Sequence, residues 1–149
     1  MILPSPFSRE IQSLLEYCNL PCSDLTEASD VEFYSVRDEK NQRLIAVVGL
    51  ERLASKTVLL RSLAVDERYR GTGLGQKMVR HAEKIARSES IEEIWLLTDS
   101  ASGFFHKLGY RNKSRVSAPK PVLDSAQFRN LCPSSVDLMM KRLSSGTSA

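Results

Sequence analysis

The chain has 149 residues, 42% hydrophobic and 26% charged, which suits one globular domain with a real core and is too short for two ordinary ones. A formal charge of +3 with no extended run of Lys and Arg falls well short of a nucleic-acid footprint, so no nucleic-acid partner is expected. No apolar stretch approaches the roughly 18 residues that cross a membrane, and the three cysteines, Cys18, Cys22 and Cys132, form no zinc-ligand set and read as reduced thiols of a cytoplasmic protein.

The opening MILPSPFSREI lacks the basic and uninterrupted apolar regions of a signal peptide. Ser5-Pro6 reads as a helix start, and Phe7, Ile11, Leu14, Leu15 and Cys18 recur at helical spacing until Asn19 and Pro21. Residues 24 to 29 read as one more short turn. Val31 to Arg37, Arg43 to Leu53 and Thr57 to Val65 carry strand signals, joined by turns short enough for an antiparallel meander. A glycine-rich loop follows, then a helix with Leu74, Met78, Ala82, Ile85 and Ala86 on its apolar side and Lys77, Arg80, Glu83, Lys84 and Arg87 on the other.

Ile94 to Thr98 reads as a short buried strand, and a strand, helix and strand in that order imply a parallel pair with a right-handed crossover. Ala101 to Leu108 is expected to be helical and Tyr110 to Val116 extended, with Pro119 and Pro121 breaking the chain. A short helix over Ser125 to Leu131 and a closing strand over Val136 to Leu143 complete a single domain of residues 1–143. Residues 144–149 are expected to be a disordered tail.

The glycine-rich loop is best read from its spacing, Arg70-x-x-Gly73-x-Gly75, with a further glycine at 71. A P-loop needs Gly-Lys-Ser/Thr at the helix start, and Gly75-Gln76-Lys77 does not supply it. A dinucleotide fingerprint would press against the strand end, whereas residues 66 to 69 intervene here. Successive backbone amides and a helix N-terminus can instead cradle a diphosphate, provided no side chain bars the approach. The plain alternative is a glycine turn that only bends the chain into a helix.

The stretches LRSLAVDERYRGTGLGQKMVRHAEKIA and IWLLTDSASGFFHKLGYRN together resemble the GCN5-related N-acetyltransferase (GNAT) family, the second through its Leu108-Gly109-Tyr110 triplet. The resemblance implies an α/β GNAT fold with a mixed antiparallel and parallel sheet of about six or seven strands and helices on both faces. It implies acetyl-CoA as co-substrate, with Leu63, Ala64 and Val65 pairing with pantetheine and amides from Arg70, Gly71, Thr72, Gly73, Leu74 and Gly75 holding the pyrophosphate. The helix carrying Phe105 would flank the thiol end. The segment RVSAPKPVLDSAQFRNLCPSSVDLMMKRL, with VGLE and LLRSLAV, is similar to the arsenic-resistance-type branch, grouped with amino-acid N-acetyltransferases. That branch implies a small amino-acid-like acceptor, an arsenical or other toxic analogue among the candidates, and leaves a homodimer open.

Many members of the family carry a tyrosine, as acid for the departing thiolate, where this chain has Phe105, so that role is not carried over. His106 points elsewhere on the helix and reads as an exposed histidine. An amine acceptor must lose a proton before it attacks, and Glu51, at the end of IAVVGL, is the expected base. Arg61 interrupts an apolar strand and needs an anion, either Glu51 or the acceptor's own acid group. Arg115 is a second candidate for that acid group. Protein N-terminal or polyamine acetylation is the rival chemistry, and a non-catalytic acyl-CoA sensor the rival class.

Overall fold

Ser8, not Ser5, opens the first helix: its hydroxyl accepts the Ile11 amide at 3.2 Å, and α1 runs Arg9–Tyr17. The Ser5-Pro6 reading fails because Leu3–Ser5 is itself a strand, β1, paired antiparallel with β2 (Val31–Arg37). Strand β3 (Leu44–Ala54) pairs antiparallel with β2, and β4 (Thr57–Val65) follows. Then come α2 (Leu74–Ser88), β5 (Glu93–Thr98), α3 (Ser102–Lys107), β6 (Arg111–Asn112), α4 (Lys120–Leu123), α5 (Ala126–Asn130) and β7 (Asp137–Arg142). The computed structural model describes residues 1–26, 30–130 and 136–143. Thus residues 27–29 of the expected turn, Leu131 of the expected helix, Cys132 and the expected tail lie outside the described residues.

The strands form one seven-stranded mixed sheet in the order β1-β2-β3-β4-β5-β7-β6. The chain divides into two compact units, Met1–Glu51 with Leu60–Lys84 and Arg52–Leu59 with Ile85–Ala149. In the first unit, Ile11 and Leu15 of α1 pack with Phe33, Val47 and Ala64 of the strands. The next residue along β2, Tyr34, meets His81 of α2 with ring centroids 5.0 Å apart. Adjacent strand residues face opposite ways, so α1 and α2 cover opposite faces of β2.

Helix α2 buries Met78, Val79, Ala82 and Ala86, as its period requires. Glu83 departs from the expected polar side. It is buried, with its carboxylate 3.0 Å from Arg80, because a helix repeat of 3.6 sets it next to Val79 and Ala82.

In the second unit, β4 pairs in parallel with β5 through Thr57↔Glu93, Val58↔Ile94 and Leu59↔Trp95. Strand β7 lies antiparallel between β5 and β6. Leu59, Trp95, Val122 and Leu138 form the core here, with Phe128 and Met140 packed against it. Two expectations change. Only Arg111–Asn112 of the segment after Tyr110 is strand, since Arg115–Ser117 turns as a 3-10 helix. The prolines start a helix and do not break the chain: Pro119 caps α4 and Pro121 sits in its first turn, where a missing amide hydrogen costs nothing.

Candidate functional site

The glycine loop is built on a turn held from several sides. After β4, Glu67–Tyr69 form a 3-10 turn capped by Asp66, whose carboxylate accepts the Arg68 amide at 3.0 Å. Tyr17 donates its hydroxyl to Glu67 at 2.8 Å, and Tyr69 donates to Asp38 at 2.6 Å. Arg70 turns back toward β4, its Nε donating to the Val65 carbonyl at 3.1 Å and Nη2 to Cys18 Sγ at 3.4 Å. The loop therefore leaves a fixed base.

Gly71 and Gly73 then take φ of 79° and 84°, in the left-handed region that side chains other than glycine's resist. A β-carbon on either would meet no atom within 4 Å, so the space beside the loop is open. The amides of Leu74, Gly75 and Gln76 begin α2 without an intrahelical acceptor, and the first bond into the helix is Lys77 N–H to Gly73 carbonyl at 3.1 Å. No acidic side chain stands in that first turn to compete for them. Amides without an intrahelical acceptor, the positive end of a fifteen-residue helix and open space beside the glycines can together cradle an anion.

On β4, just before Leu63, Ala64 and Val65, Ser62 has φ 59°. A left-handed residue interrupts strand alternation as a bulge does, so the alternation that runs up to Arg61 does not carry past Ser62. Arg61 is buried, its side chain with 0% exposure. Its Nη1 and Nη2 donate to the two oxygens of Asp24 at 2.6 and 2.8 Å. Nη1 also reaches Glu51 Oε1 at 3.1 Å, and Nε lies 3.4 Å from Ser62 Oγ. The expected pairing with Glu51 is present. Asp24, in the loop after α1, is the partner that sequence reasoning missed: a lone Asp in a polar turn gives no signal of its distant arginine.

Burial alone would raise the Asp24 carboxyl, but the hydrogen bonds and charge of Arg61 outweigh it and hold that group below the usual carboxylate range. Burial would likewise lower Arg61, and the two carboxylates more than compensate, so it stays charged. The cluster carries two negative charges and one positive. Its partly exposed members are the carboxylates, at 15% for Asp24 and 17% for Glu51. Arg61 thus presents its fork to Asp24 and Glu51 and not to solvent, the structural one of its two expected alternatives.

In the second unit, Phe105 is buried on α3, with its ring edge-on to Phe104 at 5.0 Å and to Tyr110 at 5.5 Å. His106 is exposed, its Nε2 2.6 Å from Asn112 Oδ1. Arg115 is half-buried, its guanidinium carbon 5.6 Å from the centre of the Phe128 ring and its Nη2 3.5 Å from the Val136 carbonyl. Among the described residues no group of three or more His, Cys, Asp and Glu is placed to hold a metal, and no helix is long and apolar enough to cross a membrane.

The chain belongs to the acetyltransferase (GNAT) family, whose family model matches residues 3–110. An uncharacterized N-acetyltransferase of Chlorobaculum tepidum is 36% identical over 92 residues, which are 60% of this chain and 56% of that protein. The chain thus matches little more than half the length of this curated relative. A GNAT-family acetyltransferase from Staphylococcus aureus Mu50 superposes with a TM-score of 0.74 at 17% identity, covering 97% of this chain and all of that one. A Mycobacterium tuberculosis protein solved in complex with CoA gives 0.75 at 18% identity, covering 95% and 99%. These likenesses confirm the mixed α/β fold.

Proposed function

We propose that this chain is an acetyl-CoA-dependent N-acetyltransferase acting on the primary amine of a small molecule. The observation that carries the reading is the loop at the start of α2, with two left-handed glycines, open space beside them and helix amides lacking an intrahelical acceptor. In a member of this family, amides from Arg70 to Gly75 hold the pyrophosphate. Backbone groups of Leu63, Ala64 and Val65 accept pantetheine, and α3 with Phe105 flanks the thiol end. The family match spans both compact units, which supports one catalytic domain. Unbridged Cys18 and Cys22 suit a cytoplasmic setting.

Glu51 takes the amine's proton, directly or through water. Its Oε1 is fixed by Arg61, while none of the described residues donates to Oε2. The proton passes from R–NH3+ to the carboxylate, and the nitrogen lone pair forms a bond to the thioester carbon. The C–S bond then breaks with its electron pair on sulfur. The proton lost by the acylated nitrogen neutralises that thiolate, and the one on Glu51 returns to solvent. Backbone N–H groups polarise the carbonyl. A thiol of pKa about 8.5 leaves tolerably without a tyrosine acid.

An amino-acid-like acceptor, an arsenical analogue included, would bring its acid group to Arg115, since the fork of Arg61 is taken. The excess negative charge of Asp24, Arg61 and Glu51 favours a second reading, a polyamine or other cationic amine. Release of CoA thiol with amino acids, arsenical amino acids, polyamines and peptide N-termini as acceptors tests all of these. Turnover with any primary amine, abolished in Glu51→Gln, is the expected result. CoA binding with no turnover across the panel would leave the sensor reading standing instead.

A further inference from the structure

Two carboxylates converge on one buried guanidinium, and they do not share it equally. Asp24 takes both arms of the fork at 2.6 and 2.8 Å, and Glu51 receives one contact of 3.1 Å from a nitrogen that Asp24 already engages. One carboxylate would have neutralised Arg61. The second leaves the cluster one negative charge in excess, at a place where Arg61 itself has no exposure. An acid held by an uncompensated guanidinium becomes a poor proton acceptor, because the positive charge favours its ionised form. Here most of that attraction is already answered by Asp24.

We propose that Asp24 is a positioning residue that keeps Glu51 able to accept the amine's proton, by occupying the Arg61 fork so that Glu51 is oriented by one arm without being neutralised by the whole guanidinium. This rests on the reading of Glu51 as the base. The groups around the cluster are Arg61 from β4 and, from the loop after α1, Asp24 and the Cys22 thiol; Val31, opposite Glu51 on β2, is apolar. Burial and the neighbouring acids push the Cys22 thiol up, so it adds no charge near neutral pH. Among the described residues that contact Arg61, Asp24 is the acid whose removal leaves Glu51 facing the whole guanidinium.

The test is a carboxyl 13C titration of the full chain, with Glu51 assigned through Glu51→Gln and Asp24 through Asp24→Asn. In Asp24→Asn the Glu51 midpoint moves down by about one pH unit or more, as expected for a carboxylate gaining an arginine to itself. The acid limb of kcat moves the same way and turnover falls about three- to tenfold, while CoA affinity holds. A Glu51 midpoint that stays put in folded Asp24→Asn overturns the proposal. So does a native Glu51 that titrates below Asp24, a measurement needing no Asp24→Asn protein that folds well. Wild-type turnover in Glu51→Gln defeats the base reading separately, whatever the titration shows.

Discussion

Arginine differs from lysine most where its planar fork meets two oxygens at once, and Arg61 is such a place. Arg61→Lys keeps the charge and loses the fork, so one carboxylate contact is left poorly made in a buried setting. We expect a loss of about 1 to 3 kcal/mol in urea unfolding, with the affinity for CoA nearly unchanged. A variant of native stability whose acceptor KM alone rises would return Arg61 to the acceptor. At Gly73 the logic is one of space. A valine would be strained at φ 84° and would fill the open side of the loop, so calorimetry should show CoA binding weakened tenfold or more, about 1.4 kcal/mol. Undiminished affinity in a folded Gly73→Val protein would exclude the phosphate role.

At the scale of elements, three tyrosine hydroxyls are already committed to carboxylates: Tyr17 to Glu67, Tyr34 to Glu32 and Tyr69 to Asp38. The hydrogen bonds to Glu67 and Asp38 are the largest influences raising Tyr17 and Tyr69, which makes them worse acids. Changing each of the three to Phe should therefore leave kcat within about threefold, and a hundredfold loss with CoA still bound would reveal a relocated acid. The elements most legible in the sequence were those whose side chains repeat. The spans of β2 and β4 were read to the residue, and β3, α2 and β5 to within a residue or so, because apolar periodicity is written into a chain locally. What escaped was set by distant partners. Leu3–Ser5 is a strand only because β2 offers it a ladder, and Glu83 and Asp24 are placed by Arg80 and Arg61. The glycine loop, Glu51 and the need of Arg61 for an anion were visible as residue types, and Glu51 stood among the expected partners; that Asp24 takes the fork was not visible.

Over the whole molecule, pH acts through groups whose native environment favours one protonation state. Burial first, and then Lys84, hold the His81 imidazole below its usual range, and its buried Nε2 has no hydrogen-bond partner among the described residues. The unfolded chain therefore binds that proton more readily, so stability is full above about pH 6.5 and declines as pH falls through that value. Urea midpoints at pH 7.5 and 5.5 should differ in the native sequence and much less in His81→Leu; an equal drop in both would assign the effect elsewhere. The lowered carboxyl of Asp24 acts further down, its contribution present above about pH 4 and lost as pH falls through its depressed native value. The sheet order also has a consequence in time. β7 lies between β5 and β6, yet it is the last of the three to leave the ribosome. The first unit's residues are all made by Lys84, whereas the second waits for Asp137–Arg142, about 3 to 12 s later at ordinary rates of synthesis. From the completion of Thr98 until β7 has been made, one edge of β5 has no strand to pair with. Nascent chains arrested before Asp137 should be the form of this protein that chaperones hold and proteases cut.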